Sequence, residues 1–229
     1  MKALFINGGP RKNWTTMKML EQAMKGAADA GAETEIIHLY DYSFKGCISC
    51  FACKLKNSKC NGVCAVRDDL RTILEKAHEA DVIVMGSPVY FSYPTGVLRA
   101  FMERLMFPIN SYNPKIDENG NMQSSLLSKF VPTAMIYTMG VPTEQMAVDG
   151  HYPEIFGENE RFLRNLFGYA ETLCSYNGYQ FSDYSKYDVM EGTQERRAKY
   201  RDEQLPKDLE MAYELGKRLT EMAKSNYIQ

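Results

Sequence analysis

The residues with the clearest chemical potential are cysteines, because five of the six in the chain fall between positions 47 and 64. The spacing C-x2-C-x2-C-x6-C is formed by Cys47, Cys50, Cys53 and Cys60, and Cys64 follows as an alternative fourth member. Closely spaced thiolates are what an iron–sulfur cluster requires, and four cysteines also suit a zinc ion. Free thiols in a loop whose role is packing are the third interpretation.

A glycine-rich turn after the first apolar run is the second candidate, reading NGGPRKNWTT over residues 7–16. It opens a predicted helix, whose unpaired N–H groups and positive dipole favour an anion. The residues predicted to hold a phosphate are Gly9, Arg11, Asn13, Thr15 and Thr16. The turn matches neither a Walker A motif nor GxGxxG. An ordinary strand-to-helix turn with an Asn cap is the alternative interpretation.

An aromatic loop, SPVYFSYPTG over residues 87–96, is the third candidate. Its two prolines stiffen the backbone, and its aromatic rings and free backbone groups suit the faces and the polar edge of a planar heteroaromatic ring. The residues predicted to hold such a ring are Pro88, Val89, Tyr90, Phe91 and Ser92. A phosphate pocket beside a ring-binding loop indicates a mononucleotide with a large base, which describes FMN. The alternative is that the aromatic side chains only pack on the following helix.

The elements that must position these loops follow a regular alternation of short β-type runs and amphipathic segments, which favours a parallel sheet with crossover helices. Strands are predicted at 3–6, 35–39, 82–86, 133–138 and near 179–182. One helix is predicted at 69–79, one from about 95 that ends before Pro108, and one from about 158 to 174. Cys174 is thereby predicted to be a core residue on a helix.

Five β/α units predict one domain over residues 1–229, a doubly wound three-layer α/β/α sandwich whose five-stranded parallel sheet has the order 2-1-3-4-5. Polar excursions are predicted at 41–67, 107–129 and 183–201. In such a sheet the ligand crevice lies outside the carboxyl ends of strands one and three. Both candidate loops follow these strand ends.

Composition excludes several classes of protein. Apolar residues make up 45% and charged residues 24% of the chain, as in ordinary globular proteins. The net charge of −2 provides no basic field for nucleic acid. The apolar runs are too short to cross a bilayer, and the first one is too brief for a secretory signal. A reducing cytoplasm is therefore expected, where cysteines stay thiols, ligands or redox groups.

The motifs together resemble the flavodoxin-like NADPH-dependent FMN reductases, and especially their iron–sulfur flavoprotein relatives. The stretches that carry the resemblance are 8–13, 46–53, 67–70 and 86–91, and the likeness covers about residues 1–140. Gly9 replaces the family's usual serine, and Trp14 and Thr15 stand where a Gly-Asn pair falls. The resemblance also implies that a loop containing Thr138, Met139 and Gly140 approaches the flavin ring.

The resemblance implies an oxidoreductase that takes hydride from NAD(P)H and passes electrons to a quinone, a flavin or another small acceptor. The cofactor carries the redox chemistry, so no catalytic residue is predicted. A non-enzymatic FMN electron carrier is the alternative. A homodimer or higher homo-oligomer is expected, with the 107–129 excursion as a contact.

Within the resemblance, the fourth ligand of a 4Fe-4S cluster can be assigned in two ways. Judged by its distance to Arg67, Asp68 and Asp69, Cys64 is the counterpart of the family's fourth cysteine. Judged by its spacing from Cys53, Cys60 is the counterpart of that fourth cysteine.

Overall fold

The computed structural model describes residues 1–118, 120 and 122–226. The predicted 107–129 excursion includes residues 119 and 121, and the predicted 1–229 domain ends with 227–229. These five residues lie outside the described part of the chain. Across the described residues, no helix is both long enough and apolar enough to cross a membrane.

The strands are β1 (Lys2–Asn7), β2 (Glu33–His38), β3 (Val82–Tyr90), β4 (Tyr93–Pro94), β5 (Asn110–Ile116), β6 (Met122–Ser125), β7 (Val131–Thr138) and β8 (Gly168–Ser175). Five of them form a parallel sheet in the order β2-β1-β3-β7-β8, which confirms the predicted 2-1-3-4-5 order. Asn7 pairs with Gly86, and Pro88 pairs with Thr138. The carboxyl ends of β1, β3 and β7 therefore meet at one edge of the sheet.

The helices are α1 (Thr15–Asp29), α2 (Leu70–Glu79), α3 (Gly96–Ile109), α4 (Glu144–Asp149), α5 (Tyr152–Phe167), α6 (Thr193–Glu203) and α7 (Leu205–Asn226). Alternate strand residues face opposite layers. Phe5 and Val84 pack with the apolar sides of α1 and α7. Ile6 and Ile83 pack with those of α2, α3 and α5. The predicted α/β/α sandwich is confirmed.

The fifth strand of the sheet lies before its predicted position. The sequence pattern predicts a helix from 158 to 174 and a strand at 179–182, but α5 ends at Phe167 and β8 runs from Gly168 to Ser175. Gly168 has φ +94°, which ends the helix, and a Cβ there would lie 2.5 Å from Phe130 Cδ2. Cys174 consequently lies on a strand, where it packs partly buried against the core.

The predicted end of α3 before Pro108 is also wrong, because the helix continues to Ile109. A proline in the last turn removes only its own N–H from the hydrogen-bond ladder, so its cost is smaller there than in the middle of a helix. Asn110 N then donates to the carbonyls of Met106 and Phe107 and closes the helix.

The three predicted excursions differ in how much regular structure they contain. Segment 41–67 begins at the last residue of one 3-10 turn, Leu39–Asp41, and contains a second, Ala52–Lys54. Segment 107–129 contains the antiparallel pair β5 and β6 in its described part. Segment 183–201 contains a 3-10 turn, Tyr184–Lys186, and most of α6.

Candidate functional site

A crevice lies at the carboxyl edge of the sheet and contains about 510 Å³ of space, part of it open to solvent. Four separate stretches of chain form its walls: the loop after β1 with the start of α1, the carboxyl end of β3, the end of β7 with the loop that follows it, and the segment after β8. The lining residues are Gly9, Pro10, Arg11, Trp14, Thr15, Thr16, Pro88, Val89, Tyr90, Thr138, Met139, Gly140, Gly178, Tyr179 and Gln180. Two loops singled out in the sequence therefore meet at the predicted switch point.

The loop after β1 is held by backbone and buried polar contacts. Gly9 N donates to Asn7 Oδ1 at 2.8 Å, and Gly8 N donates to the carbonyl of Gly86 at 2.8 Å. The hydroxyl of Thr95 donates to the carbonyl of Gly8 at 2.7 Å. A Cβ on Gly9 would lie 3.1 Å from Asn7 Oδ1 and 3.3 Å from Pro88 Cδ, so glycine keeps this end of the crevice open.

The start of α1 provides an environment for an anion. Trp14 precedes the helix and makes no side-chain cap, and the first turn contains no acidic residue. The positive end of the helix therefore faces the Thr15 and Thr16 side of the crevice without a carboxylate to neutralise it. Arg11 adds a guanidinium to the same wall. Asn13 is exposed and does not line the crevice.

The aromatic loop predicted over residues 87–96 contributes only part of its set to the crevice, and that part belongs to the carboxyl end of β3. Pro88, Val89 and Tyr90 line it. Phe91 and Ser92 form the tip of a hairpin between β3 and β4, with φ of 50° and 70°. The Phe91 side chain is 98% exposed, so it projects into solvent beside the crevice.

The end of β7 and the loop that follows it contain the residues that the resemblance expects near a flavin ring. Thr138, Met139 and Gly140 all line the crevice. The hydroxyls of Thr16 and Thr138 lie 2.6 Å apart, which joins α1 to the end of β7. Met139 is buried and gives this wall an apolar surface.

A segment that sequence reasoning assigned to a strand forms the fourth wall. Arg11 Nη1 donates to the carbonyl of Gln180 at 2.6 Å, and Trp14 Nε1 donates to that of Tyr179 at 2.5 Å. In the sequence, the turn-forming dipeptide Asn177-Gly178 directly precedes this stretch. Its contacts with the β1 loop depend on residues more than 160 positions apart, which no local pattern reports.

The residues present fit FMN. A terminal phosphate needs a positive helix end with hydroxyl and guanidinium donors, and these converge at Arg11, Thr15 and Thr16. A flat ring system needs an apolar surface with backbone polar groups beside it, and residues 88–90 and 138–140 provide both.

The cysteine-rich segment is a separate feature, packed against α3. Cys47, Cys50, Cys53 and Cys64 line one pocket of about 320 Å³, whereas Cys60 lines a neighbouring hollow together with Cys53. Within the described chain, no three His, Cys, Asp or Glu side chains are gathered closely enough to hold a metal ion. Cys47 and Cys50 are exposed and Cys64 is buried. Burial raises the pKa of the Cys53 thiol.

Two cations of this region tie the cysteine-rich segment to α3. Arg104, which is fully buried, donates to both carboxylate oxygens of Asp68 at 2.6 and 2.9 Å and to the carbonyls of Lys45 and Val66. Its hydrogen bonds hold the pKa of Asp68 below the usual range. Lys54 donates to the carbonyls of Phe107 and Asn110. Both ends and the middle of the segment are thus anchored by hydrogen bonds to α3 and its neighbours.

Comparison with known proteins is consistent with this arrangement. The family model of NADPH-dependent FMN reductase matches residues 1–149. An iron–sulfur flavoprotein of Archaeoglobus fulgidus is 44% identical over 104 residues, which are 45% of this chain and 48% of the relative. One of Methanocaldococcus jannaschii is 39% identical over 104 residues, 45% of this chain and 51% of the relative. The chain thus spans about half the length of the curated relatives it matches.

Solved structures share the fold at low sequence identity. An NAD(P)H:quinone oxidoreductase from Methanothermobacter marburgensis superposes with a TM-score of 0.66 at 16% identity, covering 96% of this chain and 98% of the other. An azoreductase from Bacillus anthracis gives a TM-score of 0.63 at 15% identity, covering 95% and 99%. With more than half of its residues matched by the family model, the chain belongs to the NADPH-dependent FMN reductase family.

Proposed function

We propose that the protein is an FMN-dependent oxidoreductase that takes hydride from NAD(P)H and passes electrons to a quinone, a flavin or another small acceptor. The observation that carries this proposal is the two-ended crevice at the switch point. One end has a helix whose first turn contains no acidic residue, together with a guanidinium, and the other has apolar walls beside backbone polar groups. Bound FMN would supply the hydride-accepting chemistry, so no catalytic residue is proposed.

The roles of the protein's own residues are positional. Arg11, Thr15, Thr16 and the Gly9 backbone would bind the phosphate, with Asn13 at the entrance. Pro88, Val89 and Tyr90 would support one side of the ring, and the 138–140 loop another. Tyr90 is 48% exposed and Phe91 almost fully so, which supports a place for these two side chains beside the incoming donor or acceptor.

The test is anaerobic titration with FMN, followed by addition of NADPH or NADH. We expect the protein to bind FMN and the flavin absorbance to bleach on addition of the nucleotide. Arg11→Gln should raise the Kd for FMN about tenfold, because a charge-assisted contact to phosphate is lost. Lys12→Gln is the matched control, since Lys12 is an exposed partner of Asp41 outside the crevice. A wild-type protein that takes up no FMN would overturn the proposal.

The second candidate function is an electron carrier that binds FMN and has no nicotinamide reaction. The cysteine-rich segment favours it, because a metal cluster passes single electrons. Under this alternative, the FMN-loaded protein stays oxidised in the presence of NAD(P)H and becomes reduced only with a protein donor. The same anaerobic spectra distinguish the two functions.

We further propose that Cys47, Cys50 and Cys53 are completed by Cys64 as the ligand set of a 4Fe-4S cluster, with Cys60 outside it. All four side chains line one pocket, which supports this set in place of the one that ends at Cys60. The thiols are not gathered at ligand distance in the described structure, so binding of a cluster would have to draw them onto a common centre. Anaerobic reconstitution of the wild type and of Cys60→Ser should yield about four iron and four sulfide per chain, whereas Cys64→Ser should lose them. If only Cys60→Ser loses its iron and sulfide, the ligand set is Cys47, Cys50, Cys53 and Cys60 instead. If the protein contains zinc and no sulfide, the site is a zinc site.

The proposal includes a reducing cytoplasmic setting and assembly into a homodimer through the 107–129 segment. Exposed apolar side chains in that segment, at Tyr112, Ile116, Met122 and Leu126, support the interface. Sedimentation of the wild type and of Ile116→Lys measures it. A monomeric wild type contradicts this part of the proposal alone.

A further inference from the structure

Arg197 is a buried cation that none of the roles above uses. It lies on α6, beyond the residues matched by the family model, and its exposed fraction is 6%. Within the described residues, no carboxylate lies within ion-pair distance of its guanidinium, and its Nε has no hydrogen-bond partner. Burial lowers its pKa. A guanidinium in this position costs desolvation energy that no acidic side chain offsets.

The contacts of Arg197 lead to the wall of the crevice. Its Nη1 donates to the carbonyl of Gly178, and its Nη2 donates to that of Gly140 at 3.3 Å. Gly140 and Gly178 line the crevice, whereas Arg197 does not. The guanidinium therefore lies behind the wall and joins the loop after β7 to the segment after β8.

The geometry of these two peptide groups determines what they present to the crevice. All described peptide bonds are trans, so the C=O and N–H of each unit point in opposite directions. With the carbonyls of Gly140 and Gly178 turned toward Arg197, the N–H groups of Val141 and Tyr179 point away from it. Tyr179 lines the crevice, and Val141 directly follows Gly140, which also lines it. Neither N–H donates to an acceptor in the described chain.

A side chain at the centre of the same wall would have to displace its neighbours, Arg197 among them. A Cβ on Gly140 would lie 2.9 Å from Gln180 Nε2 and 3.3 Å from Arg197 Nη2. Two backbone hydrogen bonds join the two segments. Asn177 N donates to the carbonyl of Val141 at 2.8 Å, and Gly178 N donates to that of Met139 at 2.9 Å. The two free N–H groups are consequently fixed in place before any ligand arrives.

We propose that Arg197 is a positioning residue, which holds the carbonyls of Gly140 and Gly178 and so directs the N–H groups of Val141 and Tyr179 at the acceptor-bearing edge of a planar heteroaromatic ligand. The inference rests on the proposed function, in which that ligand is FMN. The positive charge behind both peptide groups also polarises them and strengthens the two donors. An acceptor edge that gains electron density on reduction is bound more tightly by such donors. Because the reduced ligand is then favoured over the oxidised one, the midpoint potential of the bound ligand is raised.

The test compares Arg197→Met and Arg197→Lys with the wild type, and Lys199→Met serves as the matched control. Lys199 is an exposed cation of the same helix, so its removal changes the charge equally without touching the wall. For Arg197→Met we expect the Kd for oxidised FMN to rise about threefold and that for reduced FMN about thirtyfold. The tenfold difference corresponds to a midpoint potential lower by about 30 mV.

Several outcomes decide the question. Arg197→Lys should give an intermediate shift, because an ammonium keeps the charge but lacks the fork that reaches both carbonyls. The inference is overturned if circular dichroism shows that the Arg197→Met protein is folded while its flavin midpoint potential and its Kd for FMN are unchanged. If that variant does not fold, a crystal structure of wild type with FMN decides. Flavin acceptor atoms within hydrogen-bond distance of Val141 N and Tyr179 N support the inference, and their absence contradicts it. A wild type that binds no FMN refutes the proposed function instead.

Discussion

Asn7 shows how one buried side chain determines the geometry of the β1 loop. Its Oδ1 accepts the N–H of Gly9 at 2.8 Å, so its amide nitrogen must face the other way, where it lies 2.9 Å from His38 Nδ1. An amide N–H can only donate, and His38 Nδ1 must therefore be the acceptor. This requires a neutral imidazole whose proton is on Nε2. The turn that carries Gly9 thus depends on the protonation state of His38.

We predict that protonation of His38 destabilises the fold. Burial, and then the nearby charge of Lys12, lower the pKa of His38. Below the unfolded-state pKa of about 6.5, the unfolded chain binds a proton at His38 that the folded chain does not. The free energy of unfolding therefore decreases as the pH is lowered, until the pH reaches the pKa of His38 in the folded state. Urea unfolding between about pH 7.5 and pH 5 should show this loss. His38→Gln keeps an acceptor for Asn7 and should flatten the pH dependence; equal slopes in both proteins would contradict the prediction.

The pairing of α1 with α7 depends on two glycines that let the helix backbones touch. A Cβ on Gly216 would lie 1.8 Å from the carbonyl oxygen of Ala23, and a Cβ on Gly26 would lie 2.0 Å from that of Tyr213. These distances leave no space for even one methyl group. The close approach covers one face of the sheet and supports the start of α1 at the crevice.

Alanine substitutions in two helices should therefore have opposite effects. Gly216→Ala should lower the free energy of unfolding by about 2 kcal/mol or more, because two backbones must separate. Gly157 lies in α5 with nothing within 4 Å of an added Cβ, so Gly157→Ala should raise stability by up to about 1 kcal/mol through helix propensity. Urea denaturation measures both. A Gly216→Ala protein as stable as the wild type would show that the helices slide apart without cost.

The crevice belongs to the molecule as a whole, since its four walls come from residues near positions 9–16, 88–90, 138–140 and 178–180. No wall is complete without long-range contacts, such as Arg11 with Gln180 and Thr16 with Thr138. An unfolded chain therefore presents no binding site. Ligand affinity and global stability must be linked.

We predict that FMN raises the free energy of unfolding by about 2.7 kcal/mol at a free concentration of about 100 times its Kd. Riboflavin lacks the phosphate and should give a smaller increase at equal concentration, because the α1 end of the crevice stays unused. Denaturant unfolding with each ligand provides the measurement. Equal stabilisation by both ligands would contradict a phosphate site at Arg11 and the start of α1.

Much of this protein could be predicted from local patterns in its sequence. Apolar runs and helix periodicity predict β1, β2, β3 and β7, and hence the strand order and the loops at the switch point. Those signals are local because alternation and helical repeat depend only on neighbouring residues. The position of β8 was missed because Leu166, Ala170 and Leu173 keep helical spacing across Gly168. Pairing with β7 overrides that pattern.

The sequence by itself determined the layered architecture and the two loops that meet at its edge, as well as the clustering of the cysteines. Tertiary structure alone decided that residues 178–180 complete the crevice, that Arg197 stands behind its wall, and that Cys64 shares a pocket with the first three cysteines. The physical reason is distance along the chain. These contacts join residues that are brought together by hydrogen bonds and packing between remote segments, and such interactions exist only once the whole sheet has formed.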